Sequence, residues 1–61
     1  MNLVEVYVTN ITNIGKANRY GYCNMTADFD CYGHKEIQAT KQLHIDVIDK
    51  IKRYGFYLTD I

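Results

Sequence analysis

Five apolar residues at strict period two, Cys23, Met25, Ala27, Phe29 and Cys31, alternate with Asn24, Thr26, Asp28 and Asp30. That pattern specifies a β-strand with one face buried and the other wet. It constrains the fold because a one-residue slip in pairing would turn every apolar side chain of the strand to solvent. A second alternating, β-branched run occupies residues 3–11, with Val4, Val6 and Val8 on one face and Leu3, Glu5, Tyr7, Thr9 and Ile11 on the other.

Between the runs lies a polar stretch in which Gly15-Lys16 suits the centre of a type II′ turn, where glycine comes first. Ile14 then faces Ala17, and the register sets Val8 against Cys23, Val6 against Met25 and Val4 against Ala27. The buried faces agree, which supports a hairpin. Carried straight from residue 20 to 31, the second strand would span about 40 Å. A compact chain of this length has a radius of gyration of only about 10.5 Å. A bend or bulge near residues 28–30, or pairing of the far half with another chain, resolves the conflict.

Tyr32-Gly33-His34 reads as a turn, and residues 35–39 as a short third strand with Ile37 and Ala39 inward. From Leu43 the period changes. Leu43, Val47, Ile48, Ile51 and Tyr54 fall on one arc of a helical wheel, with Asp46, Asp49, Lys50 and Arg53 outside it. Thr40 or Asp46 is placed to cap this helix, Lys52 and Arg53 complement its dipole, and Gly55 stands where a left-handed terminating residue belongs. Phe56 is expected to pack on Ile51 in a Schellman motif, and residues 57–61 are long enough for a short edge strand. The expected fold class is α+β, a small antiparallel sheet (a β-hairpin plus a short third strand) packed on one C-terminal amphipathic helix, with residues 1–61 forming a single domain.

Sixty-one residues bury little core, roughly 60% of the surface the unfolded chain exposes. Such chains lean on disulfides, metals, dense packing or a partner subunit. Seven basic and seven acidic side chains cancel, so no overall field draws the chain to nucleic acid or an anionic membrane. No apolar run approaches the roughly 18 residues of a membrane span, and the N-terminus lacks a signal-peptide pattern. A cytoplasmic protein is expected, and heavy use of Ile, Lys, Asn and Tyr, with their AT-rich codons, suits a low-GC bacterium or its phage.

Cys23, Cys31, His34 and His44 are the residues from which a zinc site would be built, but seven residues between the cysteines do not form a zinc knuckle. Two thiols acting as small hydrophobes are expected instead, with no metal and no cofactor. A Cys23–Cys31 disulfide would need a tight hairpin about Ala27. His44, on the apolar arc, is expected to be hydrogen-bonded and partly buried. The carboxylate pairs Asp28/Asp30 and Asp46/Asp49 read as solvated surface, and no nucleophile stands beside a base, so no enzyme activity is expected.

Surface aromatics carry the functional expectation. In the hairpin register Thr9 faces Tyr22 and Ile11 faces Tyr20, so Tyr7, Thr9, Ile11, Tyr20 and Tyr22 form one outward patch, and Arg19 nearby completes the expected partner-binding residues. Tyrosines give large contact area at low entropic cost and are enriched at interfaces. Cross-strand pairing that merely stabilises a thin sheet is the simpler alternative. Arg19-Tyr20-Gly21-Tyr22 resembles the core of an RNP1 segment, with Asn24 standing where that segment has its second aromatic, and the resemblance implies stacking of single-stranded bases. Neutral charge fits protein recognition better than nucleic acid. The expected function is regulation or inhibition of a larger protein partner, in the manner of small phage-encoded inhibitors. A single-stranded nucleic-acid binder and a homodimeric module are the alternatives.

Overall fold

The computed structural model describes residues 2–31 and 33–60. Four strands and one helix follow one another as β1 (Leu3–Ile14), β2 (Tyr22–Cys31), β3 (His34–His44), α1 (Ile45–Tyr54) and β4 (Phe56–Asp60). The strands make one antiparallel sheet in the order β3-β2-β1-β4. This is the expected α+β architecture with a fourth strand, because the tail runs back along β1.

The alternating residues bury one sheet face beneath the helix. Val4, Val6 and Val8 of β1, Cys23, Met25, Ala27 and Phe29 of β2, and Ile48 and Ile51 of α1 are all buried. Cys31, Ala39, Leu43, Val47 and Tyr57 close the rim of this core. Removing these side chains from water is the main force holding strands and helix together.

The hairpin register differs from expectation. Val8 faces Phe29 instead of Cys23, a slip of six positions, and Ile14 faces Met25 instead of Ala17, a slip of eight. Both slips are even, so the same side chains stay buried. The type II′ turn does not form. Gly15 is not among the residues with positive φ, and its N–H donates to the Asn24 carbonyl at 2.8 Å, continuing the ladder. The chain reverses later, around Asn18, whose side-chain oxygen accepts from the N–H groups of Tyr20 at 2.9 Å and Tyr22 at 3.0 Å. Asn18 holds two backbone donors and Gly21 supplies the left-handed residue at φ 85°, its N–H donating to the Asn18 carbonyl at 3.0 Å, so the reversal uses both.

β2 runs unbroken, and its neighbours absorb the strain. Residues 10–12 of β1 face Ala27 alone, and residues 37–38 of β3 face Asp28 alone. These bulges sharpen the local twist, and the radius of gyration is 11.1 Å. The extra residue in β3 also corrects the expectation for Ile37, which is 71% exposed. Ala39 does face inward, opposite Ala27.

β3 is longer than its expected five residues because Leu43 pairs with Cys23 in the sheet and does not open the helix. Thr40 is therefore mid-strand, its hydroxyl 2.8 Å from that of Thr26, and neither it nor Asp46 is the cap. The cap is His44, whose Nδ1 accepts from the Asp46 N–H at 3.2 Å. Gly55 ends the helix at φ 81°, donating its N–H to the Ile51 carbonyl at 2.8 Å. That is the single-bond left-handed cap in place of the Schellman motif. Phe56 enters β4 directly, opposite Tyr7, and so lies on the sheet face away from Ile51. The turn expected at Tyr32 and the end of the tail at Ile61 lie outside the described residues.

Candidate functional site

The helix covers one sheet face and leaves the other open. With the valines of β1 inward, Leu3, Glu5, Tyr7 and Thr9 point outward, and directly opposed residues share a face. The β4 partners of Leu3, Glu5 and Tyr7 are Asp60, Leu58 and Phe56. On the other flank, Tyr7 faces Asp30 of β2. The outer face of β4-β1-β2 is thus an apolar surface with carboxylates set into it.

Its aromatic centre is Tyr7 against Phe56, with ring centroids 5.4 Å apart, and Tyr54 of the helix end lies 6.2 Å beyond Phe56. Around them Leu3 is 65% exposed, Tyr54 64% and Leu58 54%. The Tyr7 hydroxyl donates to Glu5 Oε1 at 3.1 Å. That bond and the adjacent negative charge raise the phenol above its ordinary 10.0.

Charge on the strands of this surface has one sign, and Lys35 of β3 borders it opposite Asp30. β1, β2 and β4 contain Glu5, Asp28, Asp30 and Asp60 and no lysine or arginine. The seven basic side chains lie in the loop after β1 (Lys16, Arg19), on the edge strand β3 (Lys35, Lys41) and on the helix (Lys50, Lys52, Arg53). Asp28 is buried and met by Lys35 at 3.9 Å, whereas among the described residues no basic group lies within 4.0 Å of Glu5, Asp30 or Asp60.

β4 is also an open edge. The Val8 N–H donates to the Gly55 carbonyl at 2.9 Å, which makes that pair a hydrogen-bonding one. Pairs alternate along an antiparallel ladder, so Tyr57 and Thr59 bond to β1 while Phe56, Leu58 and Asp60 turn their backbone groups outward. The same three residues carry the outer-face side chains. A groove runs along this free side, lined by Val47, Lys50, Tyr54, Phe56, Tyr57 and Leu58. The opposite edge is blunted by the β3 bulge and by Lys35 and Lys41, the usual protection against unwanted pairing.

The six residues expected to bind a partner are divided by the register. Tyr7 belongs to the surface just described. Thr9 faces Asp28, and Ile11 sits in the β1 bulge. Arg19 and Tyr20 lie in the loop, where Arg19 stacks 5.0 Å over the Tyr20 ring, and Tyr22 packs edge-on against His44 at 5.1 Å. Eight residue steps along the strand separate Tyr22 from Asp30, the partner of Tyr7, or roughly 27 Å. Phe56, Leu58 and Leu3 were not expected at the site. Their signal was the alternation of Phe56, Leu58 and Asp60 against Tyr57 and Thr59, which marks a two-faced strand.

No family model, curated protein or solved structure matches the chain. No helix among the described residues is long and apolar enough to cross a membrane.

Proposed function

We propose that this chain is a small, non-enzymatic, cytoplasmic binding protein that regulates or inhibits a larger protein partner, docking it on the outer face of β1 and β4. The Tyr7–Phe56 pair carries the reading, because it sits in an exposed apolar surface beside an unpaired strand edge. Large aromatics flanked by aliphatic side chains are what protein interfaces bury at their centres. A strand edge adds backbone hydrogen bonds to that contact. Glu5, Asp30 and Asp60 oppose phosphate on this face, with Lys35 opposite Asp30 its bordering cation, so the face favours a protein over a nucleic acid.

The test is parallel capture from a host lysate on the wild-type chain and on Leu58→Asp and Tyr7→Ser, each with and without nuclease. The reading expects a stoichiometric protein that survives nuclease and is lost from both variants while their folds persist by circular dichroism. Retention by both variants, or loss from the wild type on nuclease treatment, overturns it.

A further inference from the structure

We infer that the occupant of this surface is an extended segment of the partner that adds to β4 as a fifth strand, alternating basic with apolar side chains. The inference rests on the protein-binding reading above and specifies the chemistry of the partner. Phe56, Leu58 and Asp60 offer outward N–H and C=O groups along one line, the requirement for strand addition. An added strand places alternate side chains on the two faces of the sheet.

On the outer face those side chains come to lie beside Phe56, Leu58 and Asp60, with Glu5 one strand further in. Arginine suits these positions, pairing with carboxylate and stacking over aromatic rings. On the inner side they meet the groove walls Val47, Tyr54 and Tyr57. Among the described residues Lys50 is the one cation lining that groove, on its helix side, so basic residues are disfavoured there and apolar ones favoured.

A second copy of the chain fits less well. Pairing two β4 strands about Leu58 would bring Asp60 beside Phe56 of the other copy and supply no cation, since neither β1 nor β4 has one. The joined faces would carry carboxylates of both copies and neutralise none.

The experiment measures binding of the full chain to a short end-capped peptide of alternating arginine and valine, and to its glutamate–valine counterpart, by fluorescence anisotropy at about 50 and 200 mM salt. The arginine peptide is expected to bind at least tenfold more tightly, with the gap narrowing at the higher salt. Leu58→Pro removes an outward N–H without touching the β1 ladder and is expected to abolish binding. Glu5→Lys with Asp60→Lys should reverse the preference towards glutamate. If the chain binds neither peptide or both equally, or if the double variant keeps the arginine preference, the inference falls. A dimer that Leu58→Pro dissociates would show that the edge serves a second copy, and would also overturn it. Should the peptides fail while lysate capture still depends on Leu58 and Tyr7, protein binding stands and only strand addition by a basic segment is lost.

Discussion

Asn10 and Gln38, on strands that β2 keeps apart, both adopt φ 52° and both bond the Asp28 carboxylate lying between them. The Asn10 side chain donates to Oδ2 and the Gln38 backbone N–H to Oδ1, each at 2.9 Å. Left-handed backbone is uncommon for residues other than glycine, and asparagine tolerates it better than glutamine. One carboxylate on the central strand compensates both distortions, and Thr12 closes over it through a 3.1 Å bond to the Gln38 side chain.

Asp28 should therefore set part of the acid response. Its pKa is lowered from 3.8, chiefly by the Asn10 hydrogen bond, then by the Gln38 backbone, with Lys35 assisting against desolvation. A group whose folded pKa is depressed contributes stability that is full above its unfolded value and is lost as pH falls through the folded value. Thermal melts across pH should show the wild type declining below about pH 4. Asp28→Asn should melt lower at neutral pH and decline less steeply in acid. Parallel curves for the two proteins would refute the assignment.

Two apolar positions on neighbouring strands should respond very differently. Phe29 is 2% exposed, and Phe29→Ala should cost about 3 to 5 kcal/mol in urea unfolding. Ile37, turned out by the bulge, should lose less than about 0.5 kcal/mol on change to alanine. Comparable losses would mean that the β3 register is wrong.

Gly21 and Gly55 separate backbone strain from collision. Both have left-handed φ, 85° and 81°, but a Cβ on Gly21 would stand 2.8 Å from the His44 Nε2, and one on Gly55 would meet nothing within 4 Å. Gly55→Ala should cost about 1 to 2 kcal/mol, the backbone term alone. Gly21→Ala should cost more, because it also displaces the imidazole that caps the helix. The comparison needs only denaturant midpoints.

Tyr7 should report on Glu5. With the carboxylate accepting from it, the phenol loses its proton later than an ordinary tyrosine. Glu5→Gln removes the charge and should bring the Tyr7 titration down towards 10.0, followed by nuclear magnetic resonance of ring-labelled protein. An unmoved Tyr7 titration would rule out the contact in solution.

The buried faces were legible in the sequence because period two and period 3.6 are local properties: Val4, Val6, Val8, Met25, Phe29, Ile48 and Ile51 follow from spacing alone. The pairing was not. The register rests on which residues reverse the chain, and Gly15-Lys16 carries a stronger turn signature than Asn18, whose advantage appears only once Tyr20 and Tyr22 present their N–H groups. The bulges were foreseen near Asp28 but on the wrong strand, since the length of β2 shows that strain must be relieved and not which neighbour relieves it. The site followed the register. Of the expected patch residues Tyr7 lies on the outer face, and its neighbours Phe56 and Leu58 come from a tail whose pairing no local pattern specifies.

The separation of charge gives this neutral chain a further physical property. β1, β2 and β4 carry four carboxylates and no lysine or arginine, whereas the loop after β1, β3 and the helix carry all seven cations with three carboxylates, Glu36, Asp46 and Asp49, so charge is unevenly distributed at zero net charge. In the field of a cationic partner it is turned during diffusion, so its outer face arrives first and fewer collisions are wasted. The association rate constant should then fall as ionic strength rises while the dissociation rate constant barely changes.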